Sequence, residues 1–117
     1  MIYSINYTEK VPNGHAGAAR LWQIFINPKY RDDEGLTEHE KTHVWQFWRT
    51  CGLYIFLMHI NWFLLRWEVE AYRNQLKYPP ATTGDIDEYR KIYAGFLADP
   101  NMYGFKISQA EAYELLK

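Results

Sequence analysis

The sequence predicts an α+β domain, mainly helical, with a small antiparallel sheet at its N-terminus. Three observations point that way. Residues 2–8 and 21–27 have the alternation and the β-branched or aromatic content of strands. From residue 34 onward the apolar spacing becomes helical and is punctuated by cap signals. In the middle of the helical part stands His39-Glu40-Lys41-Thr42-His43, an HExxH motif.

The first strand places Tyr3, Ile5 and Tyr7 on one side and Ile2, Ser4 and Asn6 on the other. Asn13-Gly14 breaks it, and Gly14 to Gly17 is small and flexible. Leu21 to Asn27, ending at Pro28, is the second strand, paired antiparallel with the first. Tyr30 to Gly35 is a polar connector, with Asp33 as N-cap of a helix over about 34–50 and Gly52 as its stop. Thr37-x-x-Glu40 is a competing capping box, which would start the helix later and turn Glu40 back onto the backbone. A second long helix is expected from Leu53 to about Tyr78, ending at Pro79-Pro80, with a turn over Thr82 to Gly84. Asp85-x-x-Glu88 opens an amphipathic helix with Ile86, Tyr89, Ile92, Tyr93 and Phe96 on one face and Asp99-Pro100 at its end. Ser108-x-x-Glu111 opens a last short helix carrying Tyr113, Leu115 and Leu116.

Composition narrows what such a fold can do. At 117 residues the chain makes a single domain, 1–117, with room for one modest core. Aromatics at 18% supply rigid packing anchors, so the chain is expected to fold. Thirteen basic residues against fourteen acidic leave no field for a phosphate backbone, which argues against nucleic acid as a partner. Cys51, the only cysteine, rules out an internal disulfide and reads as a small buried hydrophobe. Residues 1–6 lack the basic and apolar regions of a secretory signal, so a cytoplasmic location is expected. Cys51 to Leu65 is mostly apolar, but its fifteen residues fall short of the ~20 a membrane span needs, so it reads as a core helix.

The chemistry resides in the motif. Residues four apart on a helix share a face, so His39 and His43 can present two imidazoles to one Zn2+ ion, with Glu40 placed as general base toward the open position. A third ligand is needed, and the next helix offers Glu68 and Glu70. Here the chain resembles the gluzincin zinc metallopeptidases, in which HExxH is followed on a later helix by a glutamate ligand that often opens an ExxxD pattern. Glu70 to Asn74 fits as ExxxN, so the resemblance implies Glu70 as third ligand and Asn74 as the neighbour hydrogen-bonded to a zinc-bound histidine. Glu68 has no such partner four residues on. The resemblance covers about residues 20–75 and implies a zincin-like two-helix core, with Leu21 to Asn27 as the edge strand along which substrate lies.

Two residues depart from that pattern. Lys41 occupies a place usually uncharged; it points about 200° away from His39, toward solvent or an aromatic such as Trp45. Asn74 is a neutral, weaker acceptor than aspartate. The expected activity is zinc-dependent hydrolysis of a peptide or protein, including a peptidoglycan stem peptide. The oxyanion donor is left open among Tyr72, Tyr89, Tyr93 and Tyr103. His59 reads as a hydrogen-bonded core histidine and His15 as a loop residue. The rival readings are a non-catalytic zinc-stabilised interaction module and, more weakly, membrane-surface association through Leu53 to Leu65.

Overall fold

A computed structural model describes residues 1–79 and 85–117. The chain is α+β: among the described residues, a three-stranded sheet at the N-terminus is followed by five α-helices. Strand β1 is Ser4–Tyr7, β2 is Gly17–Arg20 and β3 is Gln23–Ile26. The helices are α1 Glu34–Arg49, α2 Tyr54–Leu57, α3 Asn61–Gln75, α4 Ile86–Ala98 and α5 Gln109–Leu115. The expected turn at Thr82 to Gly84, with Pro80 before it, lies outside the described residues.

The sheet corrects the expected antiparallel pairing. Its order is β1-β3-β2, with β1 parallel and β2 antiparallel to β3. The strand that sequence reading missed, β2, is Gly-Ala-Ala-Arg, without β-branched or aromatic residues to announce it. Its small side chains suit its position over α1: a Cβ on Gly17 would meet Leu36 Cδ1 at 3.3 Å and Glu40 Cγ at 3.4 Å. Because β2 pairs with β3 through the two-residue turn Leu21-Trp22, β1 takes the other side of β3. Residues 21–27 therefore supply the central strand, and β2 is the edge strand beside the motif helix.

Helix α1 begins where Asp33 predicts, its side chain accepting from Leu36 N–H at 3.0 Å. Thr37 lies inside the helix, so the competing capping box does not form and Glu40 faces inward. The helix ends in a Schellman motif: Gly52 N–H donates to Phe47 O and Cys51 N–H to Trp48 O. The left-handed residue of that motif is Cys51, at φ 53°, one place earlier than the expected glycine stop. Cys51 is exposed, not a buried hydrophobe, because this cap turns it out of the core. A Cβ in that conformation is strained, so Cys51→Gly is expected to raise stability by about 1 kcal/mol, read from denaturant midpoints. A lower midpoint would contradict the strain.

The expected long second helix is broken in two. Ile60 is extended at φ −100° and ψ 115°, separating the single turn α2 from α3. Tyr54 folds α2 back by packing on Trp67, with ring centroids 4.7 Å apart. The break leaves His59 exposed in the bend, so it is not a core histidine.

Two apolar clusters result. Ile24, Ile26 and Val44 lie between the sheet and α1. Tyr72, Leu76, Tyr93, Ala94, Leu97, Phe105, Ala112 and Leu116 join α3 to the C-terminal helices. In α4 the fully buried stripe is Tyr93, Ala94 and Leu97, rotated from the predicted face, and Ile86 and Ile92 are exposed. Asp85 caps α4, and Ser108 with Glu111 forms a complete capping box on α5. Helix α1 comes close to α3 at Gly35, where any Cβ would lie 2.6 Å from Tyr78 O. That contact holds the first turn of α1 against the end of α3.

Candidate metal centre

Between the two clusters, α1 and α3 bring polar side chains together in the interior. His39, Glu40, His43 and Glu68 are all buried. His43 Nε2 lies 3.0 Å from Glu68 Oε1, His39 Nε2 lies 3.3 Å from Glu68 Oε2, and the two Nε2 atoms are 3.3 Å apart. His39, His43 and Glu68 thus offer three ligand atoms within 4.8 Å of one another.

The glutamate that joins the histidines is a correction. Glu70, preferred in the sequence reading, is turned about 200° around α3 from Glu68 and pairs at the surface with Arg49, 3.3 Å away. Glu68 shares the buried stripe of α3 with Ala71, Tyr72 and Gln75. Asn74 is corrected as well: its amide donates to Thr42 Oγ1 at 2.9 Å, tying α3 to α1 without touching a histidine. The orienting role falls to two glutamines. His39 Nδ1–H donates to Gln75 Oε1 and His43 Nδ1–H to Gln46 Oε1, each at 2.9 Å. Gln46 can only accept there, because its amide nitrogen donates to Trp67 O and Glu70 Oε1. Gln46 stood in the sequence three residues after His43, and its spacing was the available signal. Gln75 follows Glu68 by seven residues, two turns on the same face.

The four tyrosines separate into two pairs. Tyr103 OH donates to Glu68 Oε2 at 3.0 Å, and the Tyr72 and Tyr103 hydroxyls are 2.8 Å apart. Burial foremost, then the charge of Glu68, pushes both hydroxyls up, so they remain protonated donors. The Tyr72 ring also packs edge-on against His39, with centroids 4.4 Å apart. Tyr93 stacks on Tyr72, and Tyr89 packs against the same cluster, farther from the histidines. Tyr54, not anticipated, brings its hydroxyl within 3.4 Å of His43 Nδ1. Lys41 points away from the site, as expected, but onto Glu38 at 3.2 Å and the Tyr3 ring, not Trp45. His15 is exposed before β2, near enough for its charge to be felt at Glu40.

The donor set fits zinc. With both Nδ1 atoms donating to glutamines, each imidazole in its neutral form keeps its lone pair on Nε2, aimed at the carboxylate. A tetrahedral ion with bonds of about 2.0–2.1 Å needs its ligands about 3.3 Å apart, and the two Nε2 atoms are 3.3 Å apart with a Glu68 oxygen 3.0–3.3 Å from each.

The same convergence attracts a proton. Burial alone would lower the His43 imidazolium, but Glu68, with Glu40 and Gln46, outweighs it and raises the group to about 9. Burial would raise the Glu68 carboxyl, yet the two histidines hold it well below the usual carboxylate range. Burial raises Glu40, in spite of both histidines. A raised histidine contributes stability that is complete below its ordinary value of 6.5 and lost as pH rises through about 9. Metal-free protein is therefore expected to melt at a lower temperature at pH 9 than at pH 6.5, with zinc restoring the loss. A flat or rising melting temperature across that interval would contradict the pairing.

Comparison with family models, with curated proteins and with solved structures finds no match.

Proposed function

We propose that the protein is a zincin-like, zinc-dependent metallopeptidase whose ligands are His39, His43 and Glu68 and whose general base is Glu40. One observation carries the reading: two imidazole nitrogens and a carboxylate lie buried within 4.8 Å of one another, with Glu40 beside them. When bound, zinc would act as a Lewis acid and lower the pKa of its water toward about 7.

The chain's own groups do the rest. Gln46 and Gln75 fix the tautomer and orientation of the histidines, and Tyr103 steadies Glu68. Glu40 takes the proton of the attacking water and passes it to the leaving amine. Its carboxyl is raised by burial, which makes it the stronger base for the first of those transfers. Substrate has an edge to lie on. Asn27 N–H donates to Ala16 O, so by the alternation of an antiparallel ladder the amides and carbonyls of Gly17 and Ala19 turn outward, away from β3. An extended peptide added there runs past Glu40, against which Gly17 packs.

The test is the metal content of protein purified without added zinc, together with its hydrolysis of fluorescein-labelled casein before and after chelation. Stoichiometric zinc and chelator-sensitive hydrolysis are expected. Zinc without turnover would reduce the ion to a stabilising role. Failure to bind zinc even when it is supplied would overturn the site.

A further inference from the structure

A second feature lies on the face of α3 turned away from the metal centre. Around the break between α2 and α3, Leu53, Phe56, Ile60 and Trp62 form an apolar tip, 58%, 69%, 49% and 59% exposed. These are large apolar side chains within ten residues, whereas a monomeric surface usually scatters them singly. The flanking charge is of one sign. Between Arg49 and Lys77 the only carboxylates are Glu68, buried in the metal centre, and Glu70, paired with Arg49. Among the described residues, Arg66, Arg73 and Lys77 have no carboxylate partner.

Helical spacing lines these groups up. Trp62, Arg66 and Arg73 fall on one stripe of α3, and Lys77 follows in the turn after it. The Arg66 guanidinium sits over the Trp62 ring, 4.9 Å from its centroid. All three cations line one open cavity of about 1080 Å³ with an apolar floor; six basic side chains and a single carboxylate border it, in a chain with thirteen basic and fourteen acidic residues overall. The basic charge is therefore gathered on the side that carries the exposed apolar tip.

We propose that this face docks on an anionic lipid surface. The exposed tip, Leu53, Phe56, Ile60 and Trp62, enters the interfacial layer, where an indole is favoured, while Arg66, Arg73 and Lys77 lie at headgroup level against phosphates. Cations without carboxylate partners beside exposed apolar groups match an anionic bilayer, which offers both phosphates and an apolar layer. Docking is on the surface, since no described helix is long and apolar enough to cross a membrane. The inference is independent of the metal reading, because none of these residues is a proposed ligand.

Cosedimentation of the whole chain with vesicles tests it. Binding to vesicles of equal parts phosphatidylcholine and phosphatidylglycerol is expected, with little binding to phosphatidylcholine alone and weakening in high salt. Arg66→Glu/Arg73→Glu should reduce binding about tenfold or more, and Phe56→Ser/Ile60→Ser should abolish it. All four positions are exposed, and unchanged zinc content and thermal melting will show that the variants fold. No binding to anionic vesicles at low salt overturns the proposal. So does binding that ignores lipid charge. A dimer in sedimentation velocity that Phe56→Ser/Ile60→Ser dissociates would also overturn it, assigning the face to a second copy.

Discussion

Glu68→Gln is expected to weaken zinc binding by roughly 1,000-fold or more, while Glu70→Gln leaves it within about tenfold of the parent. The two residues are both glutamates two positions apart on α3, so a general loss of charge or helix propensity affects them alike. Their surroundings differ. Glu68 is buried and meets both Nε2 atoms, and among the described residues it is the carboxylate grouped with the two histidines. Glutamine keeps its shape but presents a neutral oxygen and an amide that donates toward the ion. Glu70 pairs with Arg49 at the surface. Titration of each purified variant with zinc against a competing chelator separates the outcomes. Equal weakening in both variants, or weakening at Glu70 alone, would return the third ligand to the position favoured by the ExxxN pattern.

Glu40→Gln should behave in the opposite way, with zinc retained and hydrolysis reduced by about 1,000-fold, the usual scale for removing a general base. Glutamine fills the same volume against Gly17 but cannot take a proton. Folding should not suffer: burial raises the Glu40 carboxyl, so its ionised form is costly to bury, and an amide avoids that cost. The melting temperature is therefore expected to hold or rise. Casein hydrolysis and bound zinc measured on the same preparation check this. A variant that binds zinc and hydrolyses as fast as the parent would remove Glu40 from the chemistry.

Much of the architecture could be read from short-range signals. Asp33, Asp85 and Ser108 announced three helix starts because an N-cap acts within one turn, where sequence neighbours are spatial neighbours. His39, Glu40 and His43 were legible for the same reason. What failed depended on distance. The β2 strand has no strand-forming residues and exists because β3 and α1 flank it. The parallel pairing of β1 follows from β2 having already taken the other side of β3. The long apolar run from Leu53 read as one helix because its period is helical on both sides of Ile60, and the extended residue between them carries no breaker.

The glutamate that joins the histidines was missed through phase. The ExxxN pattern looked four residues on for a partner, whereas the operative partner of His39 is Gln75, seven residues after Glu68. Periodicity alone cannot decide which of two glutamates faces α1. The neighbours could have helped: Trp67, Ala71 and Tyr72 form the buried stripe, and Glu68 lies within it while Glu70 does not.

Glu70, which lies outside the His39, His43 and Glu68 cluster, is still linked to it. Its Oε1 accepts from the Gln46 amide, whose carbonyl in turn accepts from His43 Nδ1–H. Negative charge on Glu70 therefore polarises that carboxamide and makes the imidazole beyond it a stronger electron donor. Arg49 opposes the effect by drawing the same carboxylate outward. The surface ion pair and the buried histidine are thus joined through one carboxamide. Because both members of the pair are partly exposed, added salt weakens their attraction.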